Sequence, residues 1–377
     1  MSQKQSLLRS TTIVSAGTFI SRILGFIRDS VMAYYFHKSL TDPFYAALRI
    51  PNALRQLLAE GALSAAFIPT FTQTMEKEGK QEADDLARSL FVILAFVVSV
   101  IVVLGIIFSP QLVRLITPGF SQSGEAKMKL TIHLTQIMFP YLLFVSLAAL
   151  LMGSLHSLGH FTMPALSPVS LNVCIIAFVV CGGFFVPREK LIYLAGFGFM
   201  LGGLTQLLIQ YPPLFKMGYY RHLPRLLFHP KIGLVGRLLL PATFGQAVTE
   251  VNIFVNLYFA SRLIEGSVTY LYFAMRLIQF PLGMFGVALA TVSFPAFSRL
   301  ALLEDRKPLV ETVKRSVKTN LFLMIPSALG LVVLGPQIIR LLFDRGQFHR
   351  DNSLMPTYYA MCCYLVGILA YSSLKLV

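Results

Sequence analysis

The chain has 377 residues, 55% of them hydrophobic and only 13% charged, with a formal net charge of +15. Its mean hydropathy is +0.69, whereas soluble domains carry roughly a quarter charged residues, so an ordinary soluble globule is excluded. Nucleic acid is excluded as the partner of the basic excess, because the Lys and Arg residues sit between apolar stretches of bilayer-spanning length.

Apolar runs of about 20 residues, bounded by polar or Pro/Gly clusters, predict an all-α polytopic membrane protein with about ten transmembrane helices. They fall near 11–36, 43–74, 87–116, 128–155, 160–186, 189–215, 234–262, 265–299, 312–342 and 355–377. The first run follows a basic start but contains Arg22, Arg28 and Asp29 and continues to Phe36, so it reads as a retained helix rather than a cleaved signal peptide. At about 2.5–3.5 kcal/mol each, these three charges would cost roughly 8–10 kcal/mol facing lipid, and they are expected to face the bundle interior or water. Arg22 and Asp29 are seven residues apart and share a helix face, and Arg28 widens it.

The second helix is expected to start at Thr41-Asp42-Pro43, with Asp42 as the cap and Pro43 in the first helical position. It carries Arg49, Arg55 and Glu60, with Arg49 and Glu60 returning to nearly the same face. The eighth adds Arg276. Against these arginines stand few intramembrane acids, Asp29, Glu60 and Glu250. Three helices are thus expected to converge cationic groups on one compartment, and guanidinium forks match phosphate bidentately. An amphiphile bearing a phosphate or pyrophosphate is the simplest client. Satisfaction of each arginine by backbone carbonyls and these carboxylates is the structural alternative.

The stretch Arg49 to Phe71 resembles Arg276 to Phe297: each begins with Arg, passes a Gly (Gly61, Gly286) followed by small residues, and closes on Pro69 or Pro295 beside aromatics. This predicts equivalent helices in two halves. Alternate loops hold about 17 and about 10 Lys/Arg residues, which places the N-terminus in the cytoplasm. The basic segment 216–237, with Arg221, Arg225 and Lys231, reads as a topogenic loop and also suits anionic headgroups. Cys174, Cys181, Cys362 and Cys363 lie in or beside apolar runs without a C-x-x-C pair and are expected as buried thiols.

Ser21-Arg22-x-x-Gly25-x-x-Arg28-Asp29, Asp42-x-Phe44, Arg49-x-Pro51-Asn52-x-x-Arg55, Ala59-Glu60-Gly61-Ala62 and Phe67-x-Pro69 closely resemble the opening of the MurJ (MviN) family, lipid II flippases of the multidrug/oligosaccharidyl-lipid/polysaccharide (MOP) exporter superfamily. The resemblance continues through Pro140-Tyr141, Pro164, Pro168, Asn172, Arg276, Phe280-Pro281 and Arg345-Gly346-x-Phe348. It implies a MOP-exporter-like two-lobe bundle around a central cavity, working by alternating access in the bacterial cytoplasmic (inner) membrane. The implied substrate is lipid II, moved between leaflets for peptidoglycan synthesis by a transporter rather than an enzyme; the alternatives are a flippase for another lipid-linked oligosaccharide, or a truncated, non-transporting paralogue that binds lipid-linked precursor or cell-wall partners. Membrane lipids and cell-wall synthesis proteins are the other implied partners.

The resemblance implies Arg22, Arg28, Asp29, Arg55 and Arg276 as substrate-binding residues, with Arg28, Arg55 and Arg276 as a pyrophosphate clamp and Asp29 as its orienting partner. Asp42, Arg49, Glu60, Glu250 and Asn256 take supporting or gating positions. Asn256 stands where some members carry a sodium-binding Asp, and Met275 where many have an acid. No cofactor is implied, and no phosphate-binding Gly loop for ATP occurs, which leaves sodium, protons or the membrane potential as the energy source. The expected organisation is an N-terminal six-helix lobe (1–215), a basic linker (216–233) and a partial C-terminal lobe of four helices (234–377), C-terminally truncated relative to the fourteen helices of the family. His156-x-x-x-His160 has metal-pair spacing but no further ligand. Metal is not expected there.

Overall fold

The computed structural model describes residues 3–58, 62–122, 124–303 and 305–374, and every regular element among them is a helix. The chain divides into two compact units, Met1–Glu265 and Gly266–Val377.

The first unit contains α1 (Gln3–Tyr35), α2 (Lys38–Leu58), α3 (Ala62–Glu78), α4 (Lys80–Ile107), the short α5 (Ser109–Ile116), a 3-10 turn (Pro118–Ser121), α6 (Glu125–Met138), α7 (Tyr141–Ser157), α8 (Thr162–Gly182), α9 (Arg188–Lys216) and α10 (Ile232–Ala260). The α6–α7 pair is its centre: 72% of its most apolar window is buried, against 22% for α4. Leu142, Leu150, Leu151 and Leu155 of α7 are sealed completely, and α7 packs against α9, α3, α4 and α2. The α8–α9 contact is close because α9 has no side chain at Gly198 and Gly202. A Cβ at Gly202 would lie 3.0 Å from the Leu171 Cα and 2.5 Å from its Cδ1. Small residues that let helix backbones approach are the usual means of packing where lipid supplies no hydrophobic drive.

Helix α2 begins at Lys38, five residues before Pro43, so Asp42 is not its cap. The His37 Nδ1 accepts from the Ser39 N–H at 3.2 Å and takes that role. The Asp42 carboxylate is instead engaged by Lys127. Of the expected 43–74 run, residues 43–58 lie in α2 and 62–74 in α3, and residues 59–61 are outside the described set. Within the expected 265–299 run, α11 (Ser267–Pro281) continues through a π turn (Leu282–Gly286) into α12 (Val287–Leu300), bent by 40° between Gly286 and Leu289. This change falls at Gly286, the glycine of the internal repeat, where a missing side chain lets the ladder shift register.

The second unit packs α11, the π turn and α12 with α13 (Lys307–Leu342), α14 (Gly346–Arg350) and α15 (Leu354–Leu374). Phe273, Phe343 and Phe348 form one aromatic cluster, with ring centroids 4.6–6.2 Å apart. Buried Asn320 on α13 donates to the Ser372 hydroxyl of α15 at 2.9 Å.

Among the described residues, six helical segments, one of them the α6–α7 pair, are long and apolar enough to cross a membrane, or up to eight if each of two bent pairs is one span. The helices α1 and α2 are not among them. They carry Arg22, Arg28, Asp29, Asp42, Arg49 and Arg55, and this charge lowers their hydropathy whatever they face. On α4, Phe96, Val100, Val103 and Ile107 point outward, as expected for a lipid-facing surface. The cysteines are not buried: Cys181 and Cys363 are exposed, and Cys174 and Cys362 half-buried. They sit on the outer helices α8 and α15, where a thiol serves as a small apolar side chain.

The 3-10 turn locks onto the end of α10. The Gly119 N–H donates to the Ser261 hydroxyl at 3.2 Å, and a Cβ at Gly119 would fall 2.1 Å from the Ser261 carbonyl oxygen. Because the clash is with backbone, no rotamer relieves it. Gly119→Ala is expected to cost about 1–3 kcal/mol, read as a lowered melting temperature in detergent. An unchanged melt would show that this contact is not made in solution.

Residues 217–231, between α9 and α10, are strapped to the start of α4. The Asp84 carboxylate accepts the Tyr220 N–H at 2.9 Å and Asp85 the Arg225 N–H at 2.7 Å, while Arg88 donates to the Leu223 carbonyl at 2.8 Å. Tyr220 is anchored through its hydroxyl to Ser154 at 2.8 Å. Burial, and secondarily the Asp84 charge, pushes that phenol above its ordinary range, so it stays neutral.

Candidate functional site

Arg28 and Asp29 are neighbours on α1, and the arginine folds back so that both Nε and Nη2 donate to Asp29 Oδ1, at 3.0 and 2.7 Å. The remaining arm reaches α8, where Nη1 donates to Asn172 Oδ1 at 3.1 Å. Asn172 Nδ2 in turn donates to the Ser21 and Pro168 carbonyls, both at 3.2 Å. Asp29 is fully buried, and the Arg28 side chain is 13% exposed. This knot fixes α1 against α8 and sets the guanidinium plane, since three of its nitrogens are committed to fixed partners.

About two turns earlier, Ser21 and Arg22 line a cavity of about 230 Å³ between α1, α7 and α8, with Thr18, His156, Phe161 and Pro168 also on its wall. Arg22 is half-buried and, unlike Arg28, has no hydrogen-bond or ion-pair partner among the described residues. Helices α1 and α8 touch closely above the cavity, where a Cβ on Gly17 would be 2.7 Å from Ala165 Cβ. The cavity is smaller than the roughly 300 Å³ of a small-molecule site, so it suits one anionic group of a larger molecule. His156 stacks on Phe161 with centroids 5.4 Å apart, which gives it a packing role.

The other expected site residues are spread more widely. Asp42 on α2 is buried and bonded to Lys127 of α6 at 2.9 Å, and the Lys127 ammonium also lies 4.5 Å from the Phe120 ring centroid. Arg49 and Arg55 are half-buried on α2, and Arg55 lies in its last turn. Glu60 lies outside the described residues. On α10, Glu250 is 2% exposed, whereas Asn256 is exposed. Arg276 is half-buried on α11 of the second unit.

The structure therefore brings Arg28, Asp29 and Arg22 to one region of the first unit and adds two residues to the expected set. Asn172 completes the knot. Its signal was a lone amide within an apolar helix, the kind of residue that a membrane span retains only with a partner. Lys127 is the second addition, and nothing in its mixed-charge neighbourhood 125–129 distinguishes it before folding.

The sequence model of the family described as lipid II flippase MurJ matches residues 32–377. The chain is 36% identical over 372 residues to a probable lipid II flippase MurJ of Bdellovibrio bacteriovorus, covering 98% of this chain and 70% of that protein. It is 33% identical to the lipid II flippase MurJ of Burkholderia cenocepacia, covering 98% and 72%. Among solved structures, a lipid II flippase MurJ in an inward closed conformation superposes with a TM-score of 0.79 at 27% identity, covering 97% of this chain and 74% of that one. An inward-facing multidrug resistance MATE transporter of the MOP superfamily gives 0.71 at 12% identity, a likeness of fold alone. With the match running from Met32 to the last residue, and relatives that extend it through α1, the chain belongs to the lipid II flippase MurJ family.

Proposed function

We propose that this chain moves lipid II, the undecaprenyl-pyrophosphate-linked disaccharide-pentapeptide, from the inner to the outer leaflet of the bacterial cytoplasmic membrane by alternating access, with no covalent chemistry. The observation that carries this reading is the Arg22 guanidinium, unpartnered among the described residues, on a cavity wall midway along α1 beside the Arg28–Asp29–Asn172 knot. A cation held at that depth is costly unless an anion visits it, and a pyrophosphate supplies one.

In this reading Arg28, Arg55 and Arg276 complete the clamp, and Asp29 holds Arg28 in orientation. Asp42, Arg49, Glu60, Glu250 and Asn256 support or gate the path. Ten helices cross the membrane, including α1 and α2–α3, since charges facing a bundle interior do not need to meet lipid. The N-terminus is cytoplasmic, as the Lys/Arg asymmetry of the loops supports. Lobes 1–215 and 234–377, joined by the segment 216–233, rock against each other, drawing on sodium, protons or the membrane potential.

Native mass spectrometry of the purified chain with lipid II, undecaprenyl phosphate and a zwitterionic lipid tests this. Lipid II is expected to be retained selectively, and Arg22→Ala to weaken it by about 10- to 100-fold, the value of one charge-assisted hydrogen bond of about 1.5–3 kcal/mol. Equal retention of all three lipids, unaltered by the substitution, would defeat the proposal.

A further inference from the structure

From Lys216 to Thr249 the chain has five basic residues and no acidic one. Four of the five nearest carboxylates, on the end of α3 and the first turns of α4, are engaged by the strap, residues 217–231, and the fifth, Glu76, is exposed. Asp84 and Asp85 bind the strap's backbone. Glu82 meets His229 at 2.9 Å, and Glu78 pairs with Lys231. Lys231 is thereby withdrawn from any outward basic surface, and Arg221 is occupied with the Phe215 carbonyl at the end of α9. Lys216, Arg225 and Arg237 are left exposed, their side chains without a partner among the described residues.

Beside them stand apolar side chains with nothing over them. Leu223 is 83% exposed and Phe228 75%, with Leu226 and Leu227 more than half exposed. These are not residues of a slack loop. The backbone is held at Met217, Tyr220, Leu223, Arg225 and Leu226 by side chains of α4, including Lys80 to the Met217 carbonyl and Ser89 to the Leu226 carbonyl, both at 2.6 Å. Fixing the backbone inward commits these apolar and basic side chains outward.

We propose that the strap is a binding surface for anionic phospholipid headgroups at the membrane face where α9 ends and α10 begins. The leucines and Phe228 enter the headgroup–acyl boundary, and Arg225 and Arg237 contact phosphate. Three observations select this occupant. The strap directly follows a helix long and apolar enough to span, its free charges are of one sign, and apolar side chains interleaved with arginine are the composition of an interfacial anchor. This surface is separate from the cavity on α1, α7 and α8.

The test is native mass spectrometry of the full chain with phosphatidylglycerol and phosphatidylcholine. Phosphatidylglycerol is expected to be retained preferentially, with each arginine contributing roughly fivefold, and Arg225→Gln with Arg237→Gln to bring the two lipids near parity. A control pair of equal charge change on exposed residues of the second unit, Arg340→Gln with Arg350→Gln, is expected to keep the preference. Leu227→Ser with Phe228→Ser should lower retention of both lipids. The proposal is overturned if the wild-type chain shows no preference, as for a surface that receives a protein. It is equally overturned if the strap and control pairs lose the preference to the same extent.

Discussion

Asp29→Ala is expected to destabilise the first unit by about 3–5 kcal/mol, because it removes one partner of a buried ion pair and leaves the other charge in place. Asp29 is fully buried, and two of the three described Arg28 donor contacts end on its Oδ1. Asn172 accepts one arm but, being neutral, cannot balance a guanidinium charge. The expected readout is a melting temperature in detergent lowered by several degrees. Adding Arg28→Leu should recover most of that loss, since an apolar pair of similar volume is often as stable as a buried ion pair. Lipid II retention should be lost in the single and the double variant alike. That separates the stabilising role of the pair from the role of Arg28 toward substrate. A single variant melting with the wild type would show that Arg28 finds another partner and that the knot does not hold α1 to α8.

Lys127→Met is expected to cost a similar ~3–5 kcal/mol, for the same reason on another pair of helices. The Lys127 and Asp42 side chains are 8% and 2% exposed, and the ammonium also faces the Phe120 ring. Removing the lysine takes a cationic partner from a carboxylate that stays buried. The paired variant Lys127→Met with Asp42→Leu should melt close to the wild type, so the interaction energy from the double-mutant cycle should approach the single loss. Additive losses from the two single variants would mean that α2 and α6 are held by apolar packing and the ion pair adds nothing.

Much of the helical organisation can be read along the chain. Bilayer-length apolar runs mark α4, α6–α7, α8, α9, α13 and α15, because a period and a length survive without knowledge of neighbours. The charged runs are harder. That Arg22, Arg28 and Asp29 must avoid lipid follows from their cost, yet Arg28 and Asp29 end in a knot whereas Arg22 ends on a cavity, and these are different fates for similar residues. The difference lies in α8, where Asn172, 144 residues from Arg28, arrives within reach of one and not the other. Asp42 shows the same limit. Beside Pro43 it has the local signature of a cap, and Lys127 overrides that signature from 85 residues away.

The strap is the clearest division. Its basic composition is plain in the sequence, as is the acidic cluster Glu76 to Asp85. Read locally, both are solvated charge. In the fold, Glu78, Glu82, Asp84 and Asp85 close on the strap's backbone, His229 and Lys231, and Arg225 and Arg237 stay exposed.

For this protein the sequence by itself determined the solvent, the helical class, the residues too costly to face lipid and the family, since each depends on composition, period or motif within a short window. Only the tertiary structure decided which charge has a partner, where α2 begins, and which basic residues remain outside. Those outcomes depend on contacts between segments far apart in the chain, and a buried charge is satisfied by whichever group packing brings within about 3 Å.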